Sequence, residues 1–186
     1  MLVGMLTLCG AASSARADFK DWTLAVTPSY VVAYPDSRTA HGGGALVDVG
    51  FGLSDALALH ASGFVSWSHA DGTKTDQAGT LTGFAAMLGV IYTLDTIRLQ
   101  PSFDLSIGAL GLRGDATFGG SANASKVLKP ITGFGISVGF ALDYLLTRRF
   151  AVGVEVRYLA AVSDLGRLPT YLYAGPRVVF RWGGGS

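Results

Sequence analysis

"IRLQPSFDLSIGAL", residues 97–110, alternates in steps of two. Ile97, Leu99, Phe103, Leu105 and Ile107 hold the odd positions, and Arg98, Gln100, Ser102, Asp104 and Ser106 the even ones. Successive side chains of a strand point to opposite faces. The stretch therefore predicts a strand with one apolar face and one polar, charged face. A soluble sheet would pack the apolar face inward. A membrane barrel would turn it to lipid and line its own interior with the polar one.

Composition favours the second. Of 186 residues, 49% are hydrophobic and only 15% charged, with a mean hydropathy of +0.41. An average soluble domain carries about 25% charged residues. Past the N-terminus there is no run of about 18 uncharged apolar residues, so spanning helices are not expected. The net charge of +1 and the lack of a Lys/Arg cluster give no footprint for nucleic acid. Residues 1–17 read as an export signal, apolar at first and ending in Ala15-Arg16-Ala17, with cleavage before Asp18. Cys9 lies within it and is the one cysteine, so disulfides and thiol chemistry are not expected of the mature chain. Residues 183–186, "GGGS", read as a flexible tail or a cloning scar.

The same alternation recurs over 22–32, 45–53, 56–68, 82–94, 132–144, 150–158 and 170–182. In 22–32, for example, Trp22, Leu24, Val26, Tyr30 and Val32 oppose Thr23, Ala25, Thr27 and Ser29. These lengths suit tilted membrane strands, which need about 9–11 residues. Connections alternate between tight turns ("LSDA", "LDTI", "LTRRF") and long polar loops such as "YPDSRTAHGGG" and "RGDATFGGSANASKVLKP". Aromatics on the apolar faces sort by height. Trp22, Phe51, Tyr92, Tyr144, Phe150 and Trp182 lie near the turns, and Tyr30, Trp67, Phe84, Phe134 and Tyr158 near the loops. Two amphipathic belts are what two membrane interfaces require. The opposite faces carry Asp48, His60, Arg98, Asp104, Asp143, Glu155, Arg157, Arg177 and Arg181. A lipid-facing Arg at mid-depth costs about 2–4 kcal/mol, so the charges belong inside. Unpaired sheet edges are not tolerated in hydrocarbon. The expected fold is all-β: a closed antiparallel eight-stranded up-and-down transmembrane β-barrel over residues 18–182.

In these features the chain resembles the small eight-stranded outer-membrane barrels of Gram-negative bacteria, the OmpA- and OmpX-like group. The last segment, "YAGPRVVFRW", looks like their C-terminal assembly signal, with Tyr173, Gly175, Val178, Phe180 and Trp182 at its key positions. The resemblance implies a monomer in the outer membrane, surrounded by outer-membrane lipid and lipopolysaccharide, and inserted by the barrel-assembly machinery.

An eight-stranded barrel is just wide enough for side chains to fill. Small inward residues concentrate on the fourth and sixth segments (Gly83, Ala85, Gly89; Gly133, Gly135, Gly139), and long ones on the fifth, seventh and eighth (Arg98, Gln100, Arg157, Tyr171, Tyr173, Arg177, Arg181). The expectation is a polar, charge-paired plug, with a structural or surface-interaction role for the protein. A narrow path for water or small ions is the alternative, and a lipid-modifying enzyme the third reading. For catalysis the candidates are His69 with Ser66, Ser68 and Asp71, a spacing equally ordinary in a polar loop. His41 reads as a loop residue and His60 as a lumen filler. No spacing matches a metal or cofactor site. Pro28, Pro101 and Pro176 point outward by parity and cannot donate to a ladder, so bulges or rim positions are expected there.

Overall fold

The computed structural model describes residues 21–34, 39–70, 79–94, 98–114, 128–162 and 170–183. The export signal, the four long loops in large part, Ile97 and residues 184–186 lie outside them. Eight strands follow in order: β1 (Trp22–Tyr34), β2 (Ala40–Gly52), β3 (Leu57–Ala70), β4 (Gly79–Thr93), β5 (Leu99–Gly114), β6 (Leu128–Leu145), β7 (Phe150–Ala161) and β8 (Thr170–Trp182). Each pairs antiparallel with the next, and β8 closes on β1. Following partners round the ring from Trp22 returns to β1 at Val32. The strands are therefore staggered and tilted, as closure demands.

Burial alternates residue by residue and assigns the faces. In β5, Phe103, Leu105 and Ile107 are half exposed or more, while Gln100, Ser102, Asp104 and Ser106 are buried. The apolar face is the outer wall. Two of the tight turns owe their shape to hydroxyls: Ser54 Oγ accepts from the Leu57 amide (3.1 Å) and Thr147 Oγ1 from the Phe150 amide (3.1 Å).

At the loop end the strands outrun the sequence-based limits. β2 begins at Ala40, so His41 is a strand residue rather than a loop one. β3 reaches Ala70, and β5 reaches Gly114 across a bulge near Arg113. The alternation of hydropathy stops where lipid stops, but backbone pairing needs no side chain and continues beyond it.

The prolines correct a second expectation. Pro101 lies near the turn end of β5, where its carbonyl accepts from the Leu94 amide (2.9 Å). Pro28 and Pro176 sit neither in bulges nor at a rim. Along the β1–β8 joint, Val26 pairs with Val178 and Tyr30 with Ala174, and nothing pairs between. That register sets Pro28 opposite Pro176, whereas their other sides pair unbroken with Ala45 and Val154. Both missing N–H donors thus fall on one joint. The strands still approach closely there: a Cβ on Gly175 would strike the Pro28 carbonyl, so the position demands glycine. In the Pro28→Ala/Pro176→Ala double variant, both new amides are expected to exchange with solvent deuterium as slowly as those of Val26 and Ala174. Fast exchange at both would show that the strands do not meet at this level.

Candidate functional site in the barrel lumen

The inward residues form two storeys. Nearer the turns is a layer of ionic groups, almost all buried. Arg157, from β7, is 1% exposed and occupies its centre. Its Nη1 and Nη2 each donate to Asp48 Oδ1 at 3.1 Å, Nη2 also meets Glu155 Oε1 at 2.6 Å, and Nε lies 3.5 Å from Asp104 Oδ1. Arg177, from β8, reaches Glu155 Oε2 at 3.0 Å and Asp143 Oδ2 at 3.6 Å. Thr27 donates to Glu155 Oε2 at 2.7 Å, and Ser106 to Asp104 Oδ1 at 3.2 Å. His60 sits between two acids, with Nδ1 3.4 Å from Asp48 Oδ1 and Nε2 against Asp104 Oδ2. The layer thus sets the Arg157 and Arg177 guanidiniums and the His60 ring against four acids, Asp48, Asp104, Asp143 and Glu155, while Arg181 Nη2 donates to Gln100 Oε1 at 2.5 Å. Each charge needs such a partner, because a buried unpaired ion costs several kcal/mol.

Glycines make the room. A Cβ on Gly139 would stand 3.0 Å from Arg157 Nε and 3.2 Å from its Cγ, so the Arg157 stem lies flat against β6. Nearest the turns is a small cavity of about 60 Å³, lined in part by Thr23, Ser102, Asp143, Arg177 and Arg181.

The storey nearer the loops is mainly apolar, with the buried hydroxyls of Ser66, Ser68, Tyr171 and Tyr173 among its aliphatic side chains, a layer that the expectation of a polar plug does not contain. Val31, Leu46, Leu81, Leu110, Leu112 and Leu159 meet across the bore and are essentially fully buried. Phe64 stacks on Tyr173 (4.7 Å between centroids) and meets Tyr171 edge-on (5.8 Å). Parity alone could have found Leu46 and Leu110, each flanked by outward residues. Their hydrophobicity hides them, because hydropathy alone assigns apolar residues of such a strand to the lipid face.

Seven of the expected lumen groups converge: Asp48, His60, Asp104, Asp143, Glu155, Arg157 and Arg177. Arg181 is half-buried below them. Arg98 is not among them. It precedes β5, is exposed, and reaches out to the Tyr144 hydroxyl at 3.5 Å on the wall. Strand parity does not extend to Arg98, which lies in the turn before β5. The aromatics named for the two belts all face outward. Trp22 packs on Phe51 and is paired with Trp182 at the turn end, while Tyr30 and Trp67 stand near the loops. In the terminal segment, Val178, Phe180 and Trp182 face outward, and Tyr173 and Gly175 inward. Of the catalytic candidates, His69 faces outward whereas Ser66 and Ser68 are buried in the lumen, and Asp71 lies outside the described residues.

A ring closed on itself, oily outside and ionic within, is the architecture of a barrel built for a membrane, and residues 1–170 match the family described as outer membrane protein beta-barrel domain. The chain belongs to that family. Membership implies the outer membrane as its location. Similar solved structures are small outer-membrane barrels. Neisserial surface protein A is 15% identical with a TM-score of 0.61, covering 87% of this chain and 97% of its own. Ail, the attachment invasion locus protein of Yersinia pestis, is 9% identical with a TM-score of 0.60, covering 88% and 99%. OprG of Pseudomonas aeruginosa is 14% identical with a TM-score of 0.56, covering 90% and 98%. No curated protein sequence matches the chain. At these identities the structural likeness speaks for the fold alone.

Proposed function

We propose that this member of the outer-membrane barrel family is a closed, non-conducting, monomeric barrel that works through its outer surface and its loops. The observation that carries this reading is the two-storey lumen. A permeating ion would have to pass a fully buried apolar layer and then displace Arg157 from three carboxylates. The loops that join the longer strand ends would face the exterior and outer-membrane lipid and lipopolysaccharide would surround the wall. The barrel-assembly machinery would read the segment ending in Val178, Phe180 and Trp182. The opposite facing of His69 and the two serines supports a role without catalysis.

Reconstituted in planar bilayers, the protein is expected to give no steady single-channel openings at moderate voltage. Regular unitary steps that change when Arg157 is replaced would establish the pore reading instead.

A further inference from the structure

The chain holds three histidines, His41, His60 and His69. His60 is buried in the ionic layer. The other two are exposed, and they are direct partners: His41 on β2 stands opposite His69 on β3. Both face outward at the loop end of the barrel, between Val32 on β1 and Thr80 on β4. Facing residues of an antiparallel pair have Cβ atoms about 4.5–5.5 Å apart. The two strands lie close at this level, for a Cβ on the adjacent Gly42 would strike the Trp67 carbonyl.

The His41 ring is held in place. Its Nδ1 and the Tyr30 hydroxyl are 2.7 Å apart, and the two rings lie 24° from parallel. When Nδ1 donates to the Tyr30 oxygen, the lone pair stays on Nε2, across the ring from that bond. A ring nitrogen tied to an oxygen in this way is the usual support of a histidine that binds a metal through its other nitrogen.

We propose that His41 and His69 together bind a divalent transition-metal ion through one nitrogen of each ring, bridging β2 and β3 at their loop ends, with Tyr30 as the positioning residue. Imidazole suits Cu2+ and Zn2+, whereas Mg2+ takes oxygen ligands. Metal–nitrogen bonds of about 2.0–2.1 Å are within reach of two rings on facing strand positions. Once one ring holds the ion, the same hairpin supplies the other at high local concentration, an advantage that a single exposed histidine lacks. Two protein ligands leave the remaining positions of the ion to water, and the general order of affinity puts Cu2+ ahead of Zn2+. The site lies outside the lumen and needs only the β2–β3 register, so it goes beyond the closed-barrel reading and stands or falls separately from it.

The test is a titration of the folded full chain, without a histidine tag, in detergent micelles. Cu2+, Zn2+ and Mg2+ are added in turn, the first two in competition with a chromophoric chelator. The wild type is expected to bind one Cu2+ or Zn2+ per chain, Cu2+ the more tightly, and no Mg2+. Pulsed EPR of the Cu2+ form is expected to show two bound imidazoles. His41→Gln and His69→Gln should each weaken binding by about tenfold or more and leave one imidazole, and Tyr30→Phe, which keeps both rings, should weaken it by about tenfold. Trp67 reports the place, since it lies two residues from His69 on the same face, whereas Trp22 and Trp182 stand at the turn end. Cu2+ should quench the tryptophan fluorescence, and Trp67→Phe should keep the ion but lose most of the quenching. A heat-dependent shift on gels confirms that each variant folds, and the imidazole count in the wild type decides the matter should one fail to fold. Equal affinity in the wild type and either histidine variant, a single imidazole in the wild-type spectrum, one ion per two chains, Mg2+ bound as well as Zn2+, or undiminished quenching in Trp67→Phe overturns the site. Unchanged affinity in Tyr30→Phe overturns the role given to its hydroxyl.

Discussion

Replacing Arg157 by methionine is expected to lower the barrel's unfolding free energy by about 3–5 kcal/mol, the usual cost of removing one partner from a buried ionic network. Arg157 is 1% exposed and, among the described residues, is the one cation that touches Asp48, Asp104 and Glu155 together. Arg177 compensates poorly. It is already within 3.0 Å of Glu155 but 3.9 Å from Asp48, and no contact joins it to Asp104 among the described residues. The measurement is a denaturant titration of protein in lipid vesicles, with the gel mobility of folded and unfolded forms as readout. Adding Asp48→Asn to Arg157→Met removes one of the stranded carboxylates and should recover a substantial part of the loss. An unchanged midpoint in Arg157→Met would mean that the apolar storey alone holds the bore closed.

The second large effect concerns the wall. Leu105 lies about half-way along β5, is 56% exposed, and stands beside Val90 and Val138. In water, Leu105→Arg would be nearly neutral, as surface substitutions generally are. In hydrocarbon it should cost about 2–4 kcal/mol. The same titration, together with the yield of vesicle-inserted protein, separates the two. The neighbouring inward change Ser106→Ala removes only the hydroxyl that donates to Asp104 and should cost about 1 kcal/mol. If Leu105→Arg inserts and resists denaturant like the wild type, that wall does not face lipid.

Strand identity and facing could be read from the chain because a period of two is local. Each residue's face follows from its neighbour's, and Asp104 or Val138 needs no distant partner to declare itself. The failures fall where locality ends. Parity does not reach Arg98, which lies in a turn, and hydrophobicity falls at His41 and Arg113 although pairing goes on. The apolar storey escaped notice because Leu46 and Leu159 look like lipid-facing leucines until the ring is closed around them. The contacts of the ionic layer, such as Thr27 to Glu155, join residues more than a hundred positions apart and depend on the register of every strand between. Composition announced that carboxylates and guanidiniums would meet. Only the stagger of the barrel decides which.

The facing prolines bear on how the ring is first shut. The joint between β1 and β8 unites the beginning of the barrel with its end and is the pairing of greatest sequence separation in the ring. Hydrogen bonds there run from Trp22 to Val26 and again from Tyr30 to Tyr34, with a rung missing at mid-depth. Closure is therefore a matter of two short zippers rather than one long one. The two share one register through the unbroken pairing of β1 and β8 on their other sides, and the luminal bridge from Thr27 through Glu155 to Arg177 spans the gap from the inside.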